Sequence, residues 1–191
     1  MKTKLLLILL LTSQLAFTQR NSLSVGYGVV TIDQITSSFA TAISGAFTGA
    51  STTNIKSTGA ISLTYHRFHT SKRVGFGVAF VYDRLTADIE NSSGTKISSS
   101  TTQALTLAAE GKFKYNKGEK FNIYGLLGAG YTLGKVNYDP PPSSGDDNND
   151  YNHFNFQVTP AGLQYGGAVK GFLELGIGYK GILHGGVQFN F

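Results

Sequence analysis

Beyond residue 22 the chain alternates. Leu23, Val25, Tyr27 and Val29 are separated by Ser24, Gly26 and Gly28, so an extended segment here has one large apolar face and one small face. The same period of two returns in Ile61, Leu63, Tyr65, then in Val74, Phe76, Val78, Phe80, Tyr82, and again in Leu105, Leu107, Ala109, Gly111, Phe113, Tyr115. It continues through Phe121, Ile123, Gly125, Leu127, Ala129, Tyr131, Leu133, through Leu173, Leu175, Ile177, Tyr179, and through Leu183, Val187, Phe189, Phe191. Alternation of this kind predicts seven strands. An eighth is predicted between Phe154 and Gly166, where the apolar positions are even-numbered before Pro160 and odd-numbered after it. A parity switch at a proline predicts a β-bulge, because proline has no N–H to give to the ladder.

The connections set the topology. Residues 69–72, 116–120 and 166–170 are short, whereas 32–58, 87–100 and 136–152 are long and polar. Short turns at one end and long loops at the other describe an all-β, eight-stranded, antiparallel up-and-down transmembrane barrel. With strands of about 10 residues, the rest of the chain would be loop and turn. The short link at 180–182 breaks the pattern. If Tyr179 and Leu183 both face outward, it is an odd-length hairpin loop built around Gly181.

Alternation alone does not say which face is inside, and a lipocalin-like barrel would turn its apolar face inward. The second face decides the orientation. It carries Gly26, Gly28, Ser62, Thr64, His66, Gly75, Gly77, Ala79, Asp83, Glu110, Lys112, Asn122, Tyr124, Gly128, Gly130, Glu174, Gly176, Gly178, Gln188 and Asn190. As an exterior this set would offer water almost no charge, whereas as an interior it lets a narrow barrel coil and keeps its few ionisable groups away from lipid. The composition agrees, since only 14% of residues are charged against roughly a quarter in soluble domains. The chain has no cysteine, which excludes disulfides, thiolate metal sites and an amino-terminal lipidated cysteine.

The first residues fit export. Lys2 and Lys4 precede the apolar run 5–11, and Ala16 and Thr18 are the small residues before a cut at Gln19. Residues 1–18 are therefore expected to be a signal peptide and 19–191 the barrel domain. The apolar run is too short to span a bilayer as a helix, which takes roughly 20 residues. Without residues 1–18 the formal charge is +3, too small and too dispersed to predict nucleic-acid binding.

The mature chain resembles the OmpX/OmpA-type eight-stranded outer-membrane barrels, and more closely the PorT-like outer membrane β-barrel proteins. The resemblance is loose overall and strongest in residues 157–163 (QVTPAGL), 171–181 (GFLELGIGYKG) and 186–191 (GVQFNF). It implies residence in the cell outer membrane, contact with lipid and lipopolysaccharide, insertion by the barrel-assembly machinery, and a monomer without cofactor. Phe189 and Phe191 look like the carboxyl-terminal signal that this machinery reads, while the plainer reading makes them lipid-facing girdle residues. Such barrels host adhesins, anchors, enzymes and secretion accessories, so the resemblance implies little about chemistry.

Candidate chemistry is sparse. Glu110 and Lys112 share a face, the expected lumen, with Asp83, Glu174 and His66, and His184 is a further candidate for it. Paired carboxylates can do acid/base work, but Asp83, Glu110, Lys112 and Glu174 are better read as a luminal polar network filling a barrel too narrow for a channel. His69-Thr70-Ser71 resembles the histidine and serine of outer-membrane lipid A deacylases but lies in a short turn with no acid to orient the imidazole. Asp139, Asp146, Asp147 and Asp150 bunch in one loop without the spacing of a calcium loop. After Asp33, read as an N-cap, Ile35, Phe39, Ile43 and Phe47 recur every four residues. Residues 34–50 thus fit a short helix that plugs the barrel mouth or lies on the membrane, or equally two extended strands. The chain is expected to be a non-enzymatic integral outer-membrane protein with a structural, adhesion or partner-binding role through its long extracellular loops. Lipid modification and small-solute passage are the alternatives.

Overall fold

The computed structural model describes residues 20–35, 51–71, 73–90, 95–139 and 148–191, so the expected signal peptide lies outside the described residues. Nine strands follow in order: β1 (Asn21–Val29), β2 (Ser51–Ser57), β3 (Ala60–Phe68), β4 (Val74–Glu90), β5 (Lys96–Lys114), β6 (Phe121–Asp139), β7 (Asn148–Gly166), β8 (Val169–Gly178) and β9 (Leu183–Asn190). They close an eight-stranded antiparallel barrel, because β2 and β3 pair one after the other with β4 and form a single barrel strand broken at Thr58 and Gly59. Gly59 takes φ 75° at the break, and a Cβ there would meet the Tyr27 ring at 2.4 Å, so glycine is required. The seam is β1 against β9, tied at its end by Asn21 N–H donating to Phe191 O at 2.8 Å and Phe191 N–H to Asn21 O at 2.9 Å.

The bulge is where the parity switch put it. On both sides of β7 the register slips by one residue between Val158 and Gly162, and Pro160 and Ala161 both face outward. The faces sort as alternation predicts. Phe76, Phe80, Leu107, Tyr131 and Phe154 are exposed on the outside, while Ser62, His66, Thr106, Asn122, Gln157 and Gln188 are buried inside.

The outer apolar belt has a sharp upper edge. Across four strands the register aligns Arg84, Gln103, Lys135 and Asp150 in one row, immediately beyond Tyr82, Leu105 and Leu133. At the other edge stand Tyr115, Phe121 and Tyr165, all exposed, with Phe121 opposite Tyr165. Along β5 and the residue that follows it the belt thus spans residues 105–115, the length of about 9–11 residues that a tilted strand needs to cross a bilayer.

Three expectations are corrected. The loops at 87–100 and 136–152 are mostly strand: β4 has 17 residues and β5, β6 and β7 have 19 each. Above the belt both faces of these strands meet water, so no apolar contrast marks them. β1, β8 and β9 stop at 8–10 residues. The wall is therefore tall on the β2–β4–β5–β6–β7 side and low elsewhere. Among the described residues, β2 pairs only with β4, and the upper part of β7 only with β6.

The second correction is Tyr179, which faces inward at 1% exposure. Gly178 and Gly181, at φ 144° and 94°, fold the β8–β9 turn into the barrel mouth instead of letting β8 run on. The helix start is also moved. Residues 32–35 are helical, and the N-cap is Thr31, not Asp33. The Gln34 N–H donates to Thr31 Oγ1 at 3.3 Å, while the Thr31 N–H donates to Gln34 Oε1 at 3.3 Å, a reciprocal capping box. The remainder of 36–50 lies outside the described residues.

Just before this cap, Val30 has φ 57° with its side chain 45% exposed. A β-branched residue in that region is strained by roughly 1–2 kcal/mol, and the open side chain gives little burial in return. Val30→Gly is expected to raise unfolding stability by about 1 kcal/mol, read from the urea midpoint of the refolded protein.

Candidate functional site

The barrel interior is filled by two carboxylate clusters and an amide ladder. Glu110, on β5, faces Lys180 from the β8–β9 turn, with Nζ 2.6 Å from Oε1 and 2.8 Å from Oε2. Tyr179 donates to Oε1 at 2.8 Å, and His66 Nε2 lies 3.2 Å from Oε2, an ion-pair distance without hydrogen-bond geometry. All four side chains are buried.

Lys180 is the functional partner that alternation missed. Its carbonyl oxygen packs onto Gly28, where a Cβ would sit 1.8 Å away, and its N–H donates to Gln157 Oε1 at 2.8 Å. The only sequence signal is the glycine on either side of Tyr179-Lys180, which permits a turn that enters the lumen.

The second cluster centres on Glu174. Its Oε1 accepts the Tyr124 hydroxyl at 2.7 Å, its Oε2 lies 2.8 Å from His184 Nδ1, and His184 Nε2 lies 2.8 Å from Ser62 Oγ. Serine, histidine and carboxylate in this order match the relay of a hydrolase in connectivity. Their setting differs. Ser62, His184 and Glu174 are 2–3% exposed, and Gly26 lies so close that a Cβ would come within 2.3 Å of His184 Nε2 and 2.9 Å of Ser62 Oγ. A hydroxyl so enclosed satisfies a buried imidazole and offers no room for an ester to approach.

Of the four residues expected in one luminal network, Glu110, Lys112 and Glu174 share the central interior. Lys112 does not pair with Glu110, however. Its Nζ donates to Gln188 Oε1 at 3.2 Å and lies 3.8 Å above the Tyr124 ring, and Gln188 Oε1 also accepts Gln164 Nε2 at 2.6 Å. Asp83 belongs elsewhere, at the long-loop mouth. There it accepts Thr31 Oγ1 at 2.7 Å and Gln34 Nε2 at 2.9 and 3.0 Å, fastening the helical turn to β4. The same turn reaches β7, with Asp33 2.9 Å from His153 Nε2 and accepting Asn155 Nδ2 at 3.1 Å. Burial raises the Asp33 carboxyl above its ordinary value, and the neighbouring His153 opposes that rise.

The remaining candidates stay apart. His69 is in its turn, with the Ser71 N–H 3.5 Å from its Nδ1 and no hydrogen bond between imidazole and hydroxyl. Asp139 and Asp150 are exposed, and Asp146 and Asp147 lie outside the described residues. Phe189 is exposed on the outer face of β9, and Phe191 closes the seam with Asn21. Compared with known proteins, the chain matches no family model and no curated protein.

Proposed function

We propose that this chain is an integral outer-membrane barrel that conducts nothing and catalyses nothing, and that it acts through the strands and loops standing above its belt. The observation that carries this reading is the belt itself: bulky apolar residues cover the outside between a polar row and an aromatic edge, while the interior is packed with paired charges. Lipid is the solvent that such an exterior suits, and an eight-stranded lumen filled by side chains leaves no water path. Partners of the reading are lipid, lipopolysaccharide and, during insertion, the assembly machinery acting on the Phe189–Phe191 end. Against catalysis speaks the enclosure of Ser62, His184 and Glu174.

The test combines orientation and sealing. Leu127, 55% exposed, stands mid-belt on β6, midway between Phe121 and Leu133 and flanked by Gly111 and Val158. Leu127→Arg should weaken folding into vesicles by about 2–4 kcal/mol, whereas Gln103→Arg, on the polar row, should cost less than about 1 kcal/mol. Equal costs at the two positions would overturn the membrane orientation. A steady open pore from the wild-type protein in planar bilayers would overturn the sealed interior.

A further inference from the structure

The short-turn end of the barrel holds a cavity of about 610 Å³ that the central network does not use. Three turns build it: Ser71 and Arg73 before β4, residues 116–120 between β5 and β6, and residues 167–170 at the start of β8. Its walls carry Arg73, Lys114, Lys117, Lys120 and Lys170 against one acid, Glu119. Among the described residues no ion pair involves Arg73, Lys117, Lys120 or Lys170; Lys170 Nζ donates to the Glu119 backbone oxygen at 2.8 Å. The small pocket at the opposite mouth has the other sign, with Asp33 and Asp83 as its only charged lining residues.

The second observation is at the wall of the cavity on β6. Asn122 is 2% exposed and lines the space, yet its Nδ2 has no hydrogen-bond partner. A buried amide donor left unmade is costly, and a ligand oxygen reaching it from the cavity would relieve that cost. A neutral donor within a ring of cations suits an oxyanion: the lysines supply point charges, Arg73 a planar fork, and Asn122 a fixed N–H. The volume lies within the range of about 300–1,000 Å³ typical of small-ligand sites.

We infer that the three short turns form a binding site for a phosphate-bearing anion, with Asn122 as its buried donor and Arg73, Lys117 and Lys120 as its principal charges. Phosphate is common to lipid headgroups and to soluble anions, and both sources present the same oxygens to these donors. Binding does not depend on the membrane reading, since the cavity exists in any folded barrel.

The experiment titrates the refolded mature chain in zwitterionic detergent with inorganic pyrophosphate, by calorimetry and phosphorus NMR. Saturable binding is expected. Lys117→Gln with Lys120→Gln, both exposed turn positions, should weaken it about tenfold, while Lys96→Gln with Lys135→Gln at the far end should change nothing. Asn122→Leu should weaken it about fivefold with an unchanged or higher unfolding midpoint, because a purely structural unpaired amide is no loss to stability. Wild-type affinity in Asn122→Leu overturns the site. So does the absence of binding at about 1 mM pyrophosphate, where even a millimolar site is half filled.

Nanodiscs separate the sources. With phosphatidylglycerol in place of an equal charge of oleate, pyrophosphate affinity falls several-fold if headgroups fill the cavity and is unchanged if the anion comes from solution. Either result supports the site and assigns its ligand.

Discussion

Glu110→Gln should destabilise the barrel by about 3–5 kcal/mol, the loss expected when one partner of a buried ion pair is removed. The geometry says why. Both carboxylate oxygens of Glu110 touch Lys180, and the ammonium is 2% exposed, so no water can replace the lost charge. The amide that remains can still accept from Tyr179 but cannot neutralise Lys180. The double variant Glu110→Gln/Lys180→Met should recover most of the loss, because it removes the stranded charge and keeps the volume. Urea unfolding in detergent, read by the gel shift between folded and unfolded barrels, measures the cycle. A single-variant loss below about 1 kcal/mol would show that the pair is solvated and that the interior is not sealed.

Gly178→Ala is expected to be at least as damaging, with a loss of about 3 kcal/mol or more, combining backbone strain with the uncoupling of the buried charges. At φ 144° the residue is in a region that side chains rarely adopt, and its Cβ would fall 2.0 Å from the Phe156 carbonyl oxygen across the ladder. Relief requires the β8–β9 turn to shift, which withdraws Tyr179 and Lys180 from Glu110. Gly171→Ala is the matched control on the same strand. It points outward with nothing within 4 Å of its Cβ, so stability there should change by less than about 0.5 kcal/mol. Equal behaviour of the two variants would mean that the inward turn is not what holds Lys180.

These two residues also mark the limit of what the sequence shows. Wherever one face is bulky and apolar and the other lines a polar core, the period of two is visible, and strand, face and even the Pro160 bulge follow from it. Asp83, Glu110, Lys112 and Glu174 could be placed inside on parity alone. Parity could not choose partners. Glu110 bonds to Lys180, roughly 70 positions away, through a turn whose direction depends on glycine dihedrals that no hydrophobic pattern encodes. The same limit hid the upper strands: residues 98–103, Ser-Ser-Ser-Thr-Thr-Gln, are strand but have water on both sides, so nothing in them alternates. Thr31 and Asp33 are both good caps by residue type, and only the reciprocal bond with Gln34 distinguishes them.

The uneven height of the wall has its own consequence. A cylinder has no borders, but here a fan of five strands rises above it and ends in two rims, β2 on one side and the top of β7 on the other. Among the described residues each rim presents a line of unpaired amide and carbonyl groups of the kind that accepts an incoming extended segment, whatever its side chains. The capped turn at Thr31–Gln34 bolts onto both flanks of that gap, to Ser57 on β2 and to Asn155 on β7 through Asp33, and so stands as a doorstop between them. Deprived of it, the fan would be free to recruit a stranger's strand or to zip onto its twin.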